Sequence, residues 1–354
     1  MFIYLFREIS VSGIFICQND KWKGDIFMSA GGFDFVQRCS LNPIVSKKDV
    51  PYPAELIFNA GVCKYQNKYV MCFRNDYGCT QEEFVAKTGR LKTNIGLAFS
   101  DDGIHWEVAP HPVFELQNEG CNRAYDPRLS VIDGRVYLCF ATDGDYGVCG
   151  GIAVTDDFDH FEVLYLSEPD NRNMVLFPEK INGEFVRLDR PMPVYGRGGE
   201  NFDLWLSRSP DCRYWGRHER VLKALDIPFC NSKCGPAAPP VKTKAGWLTT
   251  FHAVEKFETN VLKAWEPCGW NKSYTAGIML LDLENPAKVL GMAKTPLLAP
   301  VTDYENNGFR GGAIFPGGMI LEDSGEVKFY YGSADTVECL ATADVDDLIA
   351  ACLV

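Results

Sequence analysis

Residues Ala124 to Leu129 read Ala-Tyr-Asp-Pro-Arg-Leu. The carboxylate of Asp126 is fixed by the proline that follows it, stands two residues before Arg128, and lies just ahead of a segment with strand patterning. Arg172, Arg190, Lys233 and His252 stand in comparably motif-like settings elsewhere in the chain. No second carboxylate is as convincing a catalytic group. One acid beside a set of cations suits a reaction in which an anion such as phosphate is the nucleophile. Arginine offers planar bidentate donors and lysine a point charge, and an anion needs no base to activate it.

Further polar residues occur at matching places. Asn59 lies in Phe58-Asn59-Ala60-Gly61, and Arg74 and Asp76 end the apolar run that follows. Arg128 accompanies Asp126, and Asp335 closes Gly332-Ser333-Ala334-Asp335. Each has a plainer reading: an Asx turn at Asp126 or Asp335, a structural ion pair at Arg74 or Arg190, a satisfied core imidazole at His252, a solvated loop lysine at Lys233. Their recurrence at equivalent positions is what argues for a shared site.

The elements that must position these residues are strands. A polar turn followed by an alternating apolar run recurs at Gln66–Phe73, Asp133–Phe140, Asn182–Leu188, Ala245–Phe251 and Ser324–Tyr331. A second run follows each of them, at Ile95–Ser100, Gly151–Thr155, Asp203–Ser207, Ala276–Leu281 and Cys339–Ala343. Period-two alternation is the mark of a strand, and five strand pairs between turns point to radial repetition of small antiparallel sheets. The expected fold is all-β, a five-bladed propeller forming one domain over 28–354, with 1–27 an N-terminal extension. A β-sandwich with insertions is the alternative. Helix is expected only at Val345–Leu353 and as a turn at Gln81–Lys87.

The composition agrees. The chain has 354 residues, 46% of them hydrophobic and 13% aromatic, enough for a large core. A net charge of −12 argues against nucleic acid or a membrane surface as partner, so any anion site must be a local cluster in an acidic protein. The 14 cysteines include no CxxC pair, and Cys63, Cys72, Cys139 and Cys339 sit inside apolar runs where a thiol acts as a small hydrophobe. This usage suits a reducing cytoplasm, and no metal ligand set is apparent. No apolar run is long enough to span a bilayer, and Arg7 and Glu8 spoil a signal peptide.

The chain resembles glycoside hydrolase family 130, the β-mannoside phosphorylases. The resemblance runs from about Asn42 to the C-terminus. It is carried by Phe58-Asn59-Ala60-Gly61, Tyr125-Asp126-Pro127-Arg128, Leu176-Phe177-Pro178-Glu179-Lys180, Leu188-Asp189-Arg190-Pro191, Gly235-Pro236-Ala237-Ala238-Pro239-Pro240, Phe251-His252-Ala253, Phe315-Pro316-Gly317-Gly318 and Tyr330–Asp335. It implies Asp126 as catalytic acid and Arg172, Arg190, Lys233 and His252 as phosphate ligands. Asn59, Arg74 and Asp335 are implied to grip the mannosyl unit, and Asp76 and Arg128 are counted with them. The chain departs from the family at Gly311-Gly312, where relatives carry asparagines.

The implied reaction is inverting phosphorolysis of a β-mannoside to α-mannose 1-phosphate, without a cofactor, by a homo-oligomer. The implied bond is β-1,4-linked, with mannose or N-acetylglucosamine as acceptor. The alternatives are a β-1,2-mannoside phosphorylase, a β-mannosidase on the same fold, and a carbohydrate-binding propeller without catalysis. Acceptor choice is expected to depend on the loops Tyr77–Thr93 and Phe257–Ser273.

Overall fold

The computed structural model describes residues 31–116, 121–145, 147–192, 202–257 and 271–354. The extension expected over 1–27 lies outside the described residues.

The strands form five antiparallel sheets arranged as the blades of a propeller. Listed from the centre outward, blade 1 is Leu56–Tyr65, Lys68–Tyr77, Lys92–Ser100 and Glu107–Val108. Blade 2 is Arg123–Ile132, Arg135–Gly144, Gly147–Thr155 and Glu162–Leu166. Blade 3 is Asn171–Leu176, Phe185–Pro191, Leu204–Ser209 and Gly216–Leu222. Blade 4 begins with Lys233–Pro236 and a short separate strand Val241–Lys242, then runs through Trp247–Lys256, Lys272–Leu281 and Val289–Met292. Blade 5 is Ile314–Leu321, Glu326–Ser333 and Val337–Asp344, and its outermost strand, Gln37–Arg38, comes from the other end of the chain.

Alternation along the strands explains the packing. Val70 and Cys72 enter the core between blades 1 and 2, while Met71 and Phe73 enter the core between blades 1 and 5. Five such clusters each fill one gap between neighbouring blades. Every strand buried on both faces is therefore apolar at consecutive positions. Cys63, Cys72, Cys139 and Cys339 are buried free thiols, and burial pushes the Cys63 thiol up to about 12. The helices Gln81–Val85 and Val345–Cys352 occupy the two stretches where helix is expected. Among the described residues no helix is long and apolar enough to cross a membrane.

The sequence reading needs one correction. The repeated runs that open each sequence pair are the second strands of the blades. The innermost strands precede them and carry Asn59, Asp126, Arg172 and Lys233, residues expected in loops or just ahead of strands. These inner strands escape pattern reading because each is interrupted. Register shifts fall at Phe58/Gly61, Tyr125/Arg128, Arg172/Val175 and Pro316/Gly318, and blade 4 breaks between Pro236 and Val241. Pro127 has no N–H for the ladder, so pairing gives way there.

Candidate active site

Three of the interruptions do the same thing. Asn59, Asp126 and Asn173 have φ of 55°, 53° and 61°. This left-handed conformation is one that Asn and Asp tolerate better than other side chains. In each case it lies within the register shift of an inner strand, and a β-bulge re-aims the side chain there. All three line a cavity of about 250 Å³ at one end of the central channel, with Arg74, Arg172, Arg190, Lys233, Lys272, Tyr274, Arg310 and Asp335 among the other walls.

Asp126 is buried and fully engaged. Its Oδ1 accepts from Asn59 Nδ2 at 2.9 Å and from Arg74 Nη1 at 3.3 Å, and its Oδ2 accepts from Arg172 Nη2 at 2.8 Å. Burial alone would raise its pKa, but Arg74, Arg172, Arg128 and the Asn59 hydrogen bond outweigh that and hold it at about 2. Arg74 also makes a two-point pair with Asp76, Nε to Oδ1 at 2.9 Å and Nη2 to Oδ2 at 2.6 Å. The guanidinium carbons of Arg74 and Arg172 lie 5.1 and 5.3 Å from the Tyr125 ring centroid, so one buried aromatic supports both.

A second group of cations gathers beside Asp126. Arg190 donates from Nη1 to His252 Nε2 at 2.9 Å, while His252 Nδ1 lies 3.1 Å from the carbonyl oxygen of Pro236. A carbonyl only accepts, so Nδ1 carries the proton and Nε2 is the acceptor. Burial, then Arg190 and Lys233, keep this imidazole neutral, well below its ordinary pKa. His252 does not line the cavity; both ring nitrogens are occupied and it stands behind Arg190. Gly235 is what admits this arrangement, since a Cβ there would meet His252 Cε1 at 2.6 Å and Arg190 Cδ at 2.9 Å.

Crowding shows in the electrostatics. Burial and Arg172 lower Arg190 to about 10, which leaves it charged at neutral pH. Burial, Arg190, Arg172, Lys272 and Arg310 bring Lys233 down to about 6. Buried cations gathered this closely have the chemistry to hold an oxyanion.

Asp335 also lines the cavity, with φ of 49° and its Oδ2 3.4 Å from Arg310 Nη1. Burial raises its pKa against Arg310 and Arg74. The cavity thus holds two carboxylates with opposite shifts, where sequence reading found one convincing acid. Asp76 and Arg128 do not line it. Asp76 sits behind Arg74. Arg128 is buried, and its guanidinium donates to the carbonyls of Ala237 (2.6 Å), Asn59 (3.0 Å) and Pro127 (2.6 Å), tying blade 2 to blades 1 and 4.

Sequence reading missed Asn173, Lys272, Tyr274 and Arg310. For Asn173 a weaker signal existed: Asn59 stands seven residues before Gln66 and Asp126 seven before Asp133, the positive-φ residues that open the next hairpin turns, and Asn173 stands nine before Asn182. Gly311-Gly312 buttresses the others. Gly312 has φ +73°, and its carbonyl accepts from Tyr274 N at 3.0 Å and Ser273 Oγ at 3.2 Å. Residues 258–270 of the second acceptor loop lie outside the described residues. Among the described residues no group of three His, Cys, Asp or Glu side chains could hold a metal ion.

Fold and cavity define a propeller enzyme with an ion-paired carboxylate beside a cluster of buried cations. The chain belongs to glycoside hydrolase family 130: the family model, described as β-1,4-mannooligosaccharide phosphorylase, matches residues 32–353. The chain is 33% identical over 332 residues to the β-1,4-mannooligosaccharide phosphorylase of Ruminococcus albus, covering 89% of this chain and 90% of that protein. It is also 33% identical over 271 residues to a 1,2-β-oligomannan phosphorylase of a Thermoanaerobacter species, covering 74% and 82%. The solved β-1,2-mannobiose phosphorylase of Listeria innocua, in complex with β-1,2-mannobiose, superposes with a TM-score of 0.76 at 27% identity, over 90% of this chain and 99% of that one.

Proposed function

We propose that this protein is an inverting phosphorylase that transfers the terminal mannosyl group of a β-1,4-linked mannoside to inorganic phosphate, releasing α-mannose 1-phosphate and a shortened acceptor ending in mannose or N-acetylglucosamine. The observation that carries the reading is the cation nest of Arg172, Arg190, Lys233, Lys272 and Arg310 directly beside Asp126. In hydrolysis a carboxylate base must activate water. Phosphate arrives anionic, and cations that seat it behind the anomeric carbon take the place of that base.

An oxygen of phosphate attacks C1 from the α face while the bond from C1 to the leaving oxygen breaks. Asp126 supplies the proton that the leaving oxygen takes up, relayed through a sugar hydroxyl. In the free protein Asp126 is a carboxylate, held at about 2 by its arginines. Phosphate seated on Arg172 shares that guanidinium and brings negative charge beside Asp126. At about 6 Å and an effective dielectric of about 20, each such charge raises the carboxyl by about two pKa units. The nucleophile thus prepares the acid. Asn59, Arg74 and Asp335 hold the mannosyl unit, Asp76 and Arg128 fix Arg74 and the bulges, and His252 holds Arg190.

No cofactor enters these steps. The reaction type is glycosyl transfer, the compartment is the cytoplasm, where thiols of this number stay reduced, and the protein works as a homo-oligomer. Incubation of β-1,4-mannobiose with and without phosphate tests the reading: α-mannose 1-phosphate should form only with phosphate, and mannose release that ignores phosphate refutes it. A β-1,2-linked substrate is the second reading, supported by β-1,2-specific relatives of equal identity, and β-1,2-mannobiose in the same assay separates the two.

A further inference from the structure

The bulge that aims Asn59 at Asp126 takes two residues out of the blade 1 ladder. Phe58 pairs with Arg74 and Gly61 with Cys72, and the register shift between them leaves Asn59 and Ala60 without a partner in the second strand. Ala60 is fully buried, so its N–H needs an acceptor that is not water. The acceptor comes from another blade: Ala60 N donates to Glu338 Oε2 at 3.1 Å. The other end of the same peptide group, the Asn59 carbonyl, accepts from Arg128 Nη1 at 3.0 Å. Blade 5 and blade 2 therefore hold the Asn59–Ala60 peptide plane from both sides, and that plane sets the direction in which the Asn59 amide leaves the strand.

Glu338 is a costly residue to bury. It is fully buried in the third strand of blade 5, and its Oε1 meets no hydrogen-bond partner among the described residues. Burial pushes its carboxyl well above the ordinary range, against the Ala60 N–H and Arg128, and so favours the neutral acid. An apolar side chain would fill the same space without that penalty. Its backbone is held on both edges. Glu338 N donates to Val45 O at 3.0 Å, Glu338 O accepts from Ile44 N at 2.9 Å, and Gly332 faces it across the ladder. Gly332 in turn lies against Asn59, since a Cβ there would meet Asn59 Oδ1 at 2.3 Å and Asn59 N at 2.6 Å. One rung of blade 5 thus both makes room for Asn59 and fixes the peptide that follows it.

We propose that Glu338 is a positioning residue for the reaction, fixing the Asn59–Ala60 peptide and through it the Asn59 amide that donates to Asp126 in the cavity. The inference rests on the phosphorylase reading above. Arg172, Arg190 and Lys233 reach the cavity from blades 3 and 4, so the cation cluster does not depend on this contact.

The test compares Glu338→Leu, which is close in size but has no acceptor, with Glu338→Gln, which keeps an acceptor oxygen. The readouts are kcat/KM for β-1,4- and β-1,2-mannobiose at saturating phosphate, and sulfate affinity by calorimetry. Glu338→Leu should lower kcat/KM about ten- to hundredfold, the effect of an unpaired buried N–H and a misplaced amide. Glu338→Gln should stay within about threefold of wild type, and both should keep sulfate affinity within about threefold. In an Asn59→Ala background Glu338→Leu should cost less than about threefold more, because it acts through Asn59. If Glu338→Leu does not fold, Glu338→Asp withdraws the carboxyl by one methylene and should show the same loss, the same sulfate affinity and the same dependence on Asn59. Wild-type kcat/KM in the Leu or Asp variant, an equal loss in Glu338→Gln, a full loss beside Asn59→Ala, or a parallel fall in sulfate affinity overturns the positioning role alone. A wild type that cleaves neither sugar with phosphate overturns the phosphorylase reading and this role with it.

Discussion

Lys233 offers the sharpest test of the oxyanion nest. It is brought down to about 6 by burial and by Arg190, Arg172, Lys272 and Arg310. At pH 7.5 only about 3% of such a lysine is charged. A dianion about 4 Å from its Nζ, at an effective dielectric of about 20, interacts by about 8 kcal/mol. Restoring an ordinary lysine pKa takes about 6 kcal/mol. Anion binding should therefore protonate Lys233, with uptake of about one proton per anion. Sulfate is the right probe, because it does not titrate near neutrality as phosphate does. Calorimetry in buffers of differing ionisation enthalpy should show this uptake, and sulfate affinity should weaken about tenfold per pH unit from 6.5 to 8.5. Lys233→Met should abolish both dependences.

Stability supplies a second reading of the same variant. Between about 6 and 10.5 the unfolded chain binds a proton that the folded, anion-free protein does not, so this lysine's contribution to stability improves as pH rises through that window. Near pH 7 the lysine destabilises the empty protein, and Lys233→Met should raise its Tm by at least about 2 °C while weakening anion binding. A sulfate affinity that is flat in the wild type, or equally steep in Lys233→Met, refutes the assignment.

Asp126→Asn should lower phosphorolysis about 10²- to 10⁴-fold, and turnover near the wild-type rate would remove Asp126 from the mechanism. Gly235→Ala places a methyl against His252 and Arg190, both buried, and should raise the KM for phosphate at least about tenfold; an unchanged KM would show that the pair can shift freely. His252→Leu removes the acceptor that holds Arg190 Nη1 and should weaken sulfate binding without altering its pH slope, whereas a changed slope would mean the imidazole titrates in this range.

Much of the fold is legible because strands buried on both faces read as short unbroken apolar runs between turn residues, as in Tyr69–Phe73 and Val136–Phe140. The innermost strands are not legible in that way. Their bulges break the alternation, and Asp126-Pro127 and Phe315-Pro316-Gly317 read as turns. The site follows the same division. Residues at the ends of regular strands, Arg74 and Arg190, declare themselves by position. Lys272 and Tyr274 open the third strand of blade 4, whose first residues reach the cavity only in the folded ring, and Arg310 lies on a connection whose path the local pattern does not encode. For His252 the sequence identifies the residue, but only the carbonyl of Pro236 and the guanidinium of Arg190 show that it supports a cation.

The closing strand of blade 5 has a consequence for how the molecule is made. Gln37 and Arg38 pair with Thr342 and Ala341, Asn42 exchanges side-chain hydrogen bonds with Leu340 at 2.8 and 2.9 Å, and Arg38 reaches Glu305 at 2.8 Å. The last sheet is sewn from segments more than 300 residues apart in the chain. On a ribosome, the segment around Gln37 emerges long before its partner, so the circle locks only after Val337–Asp344 has been made.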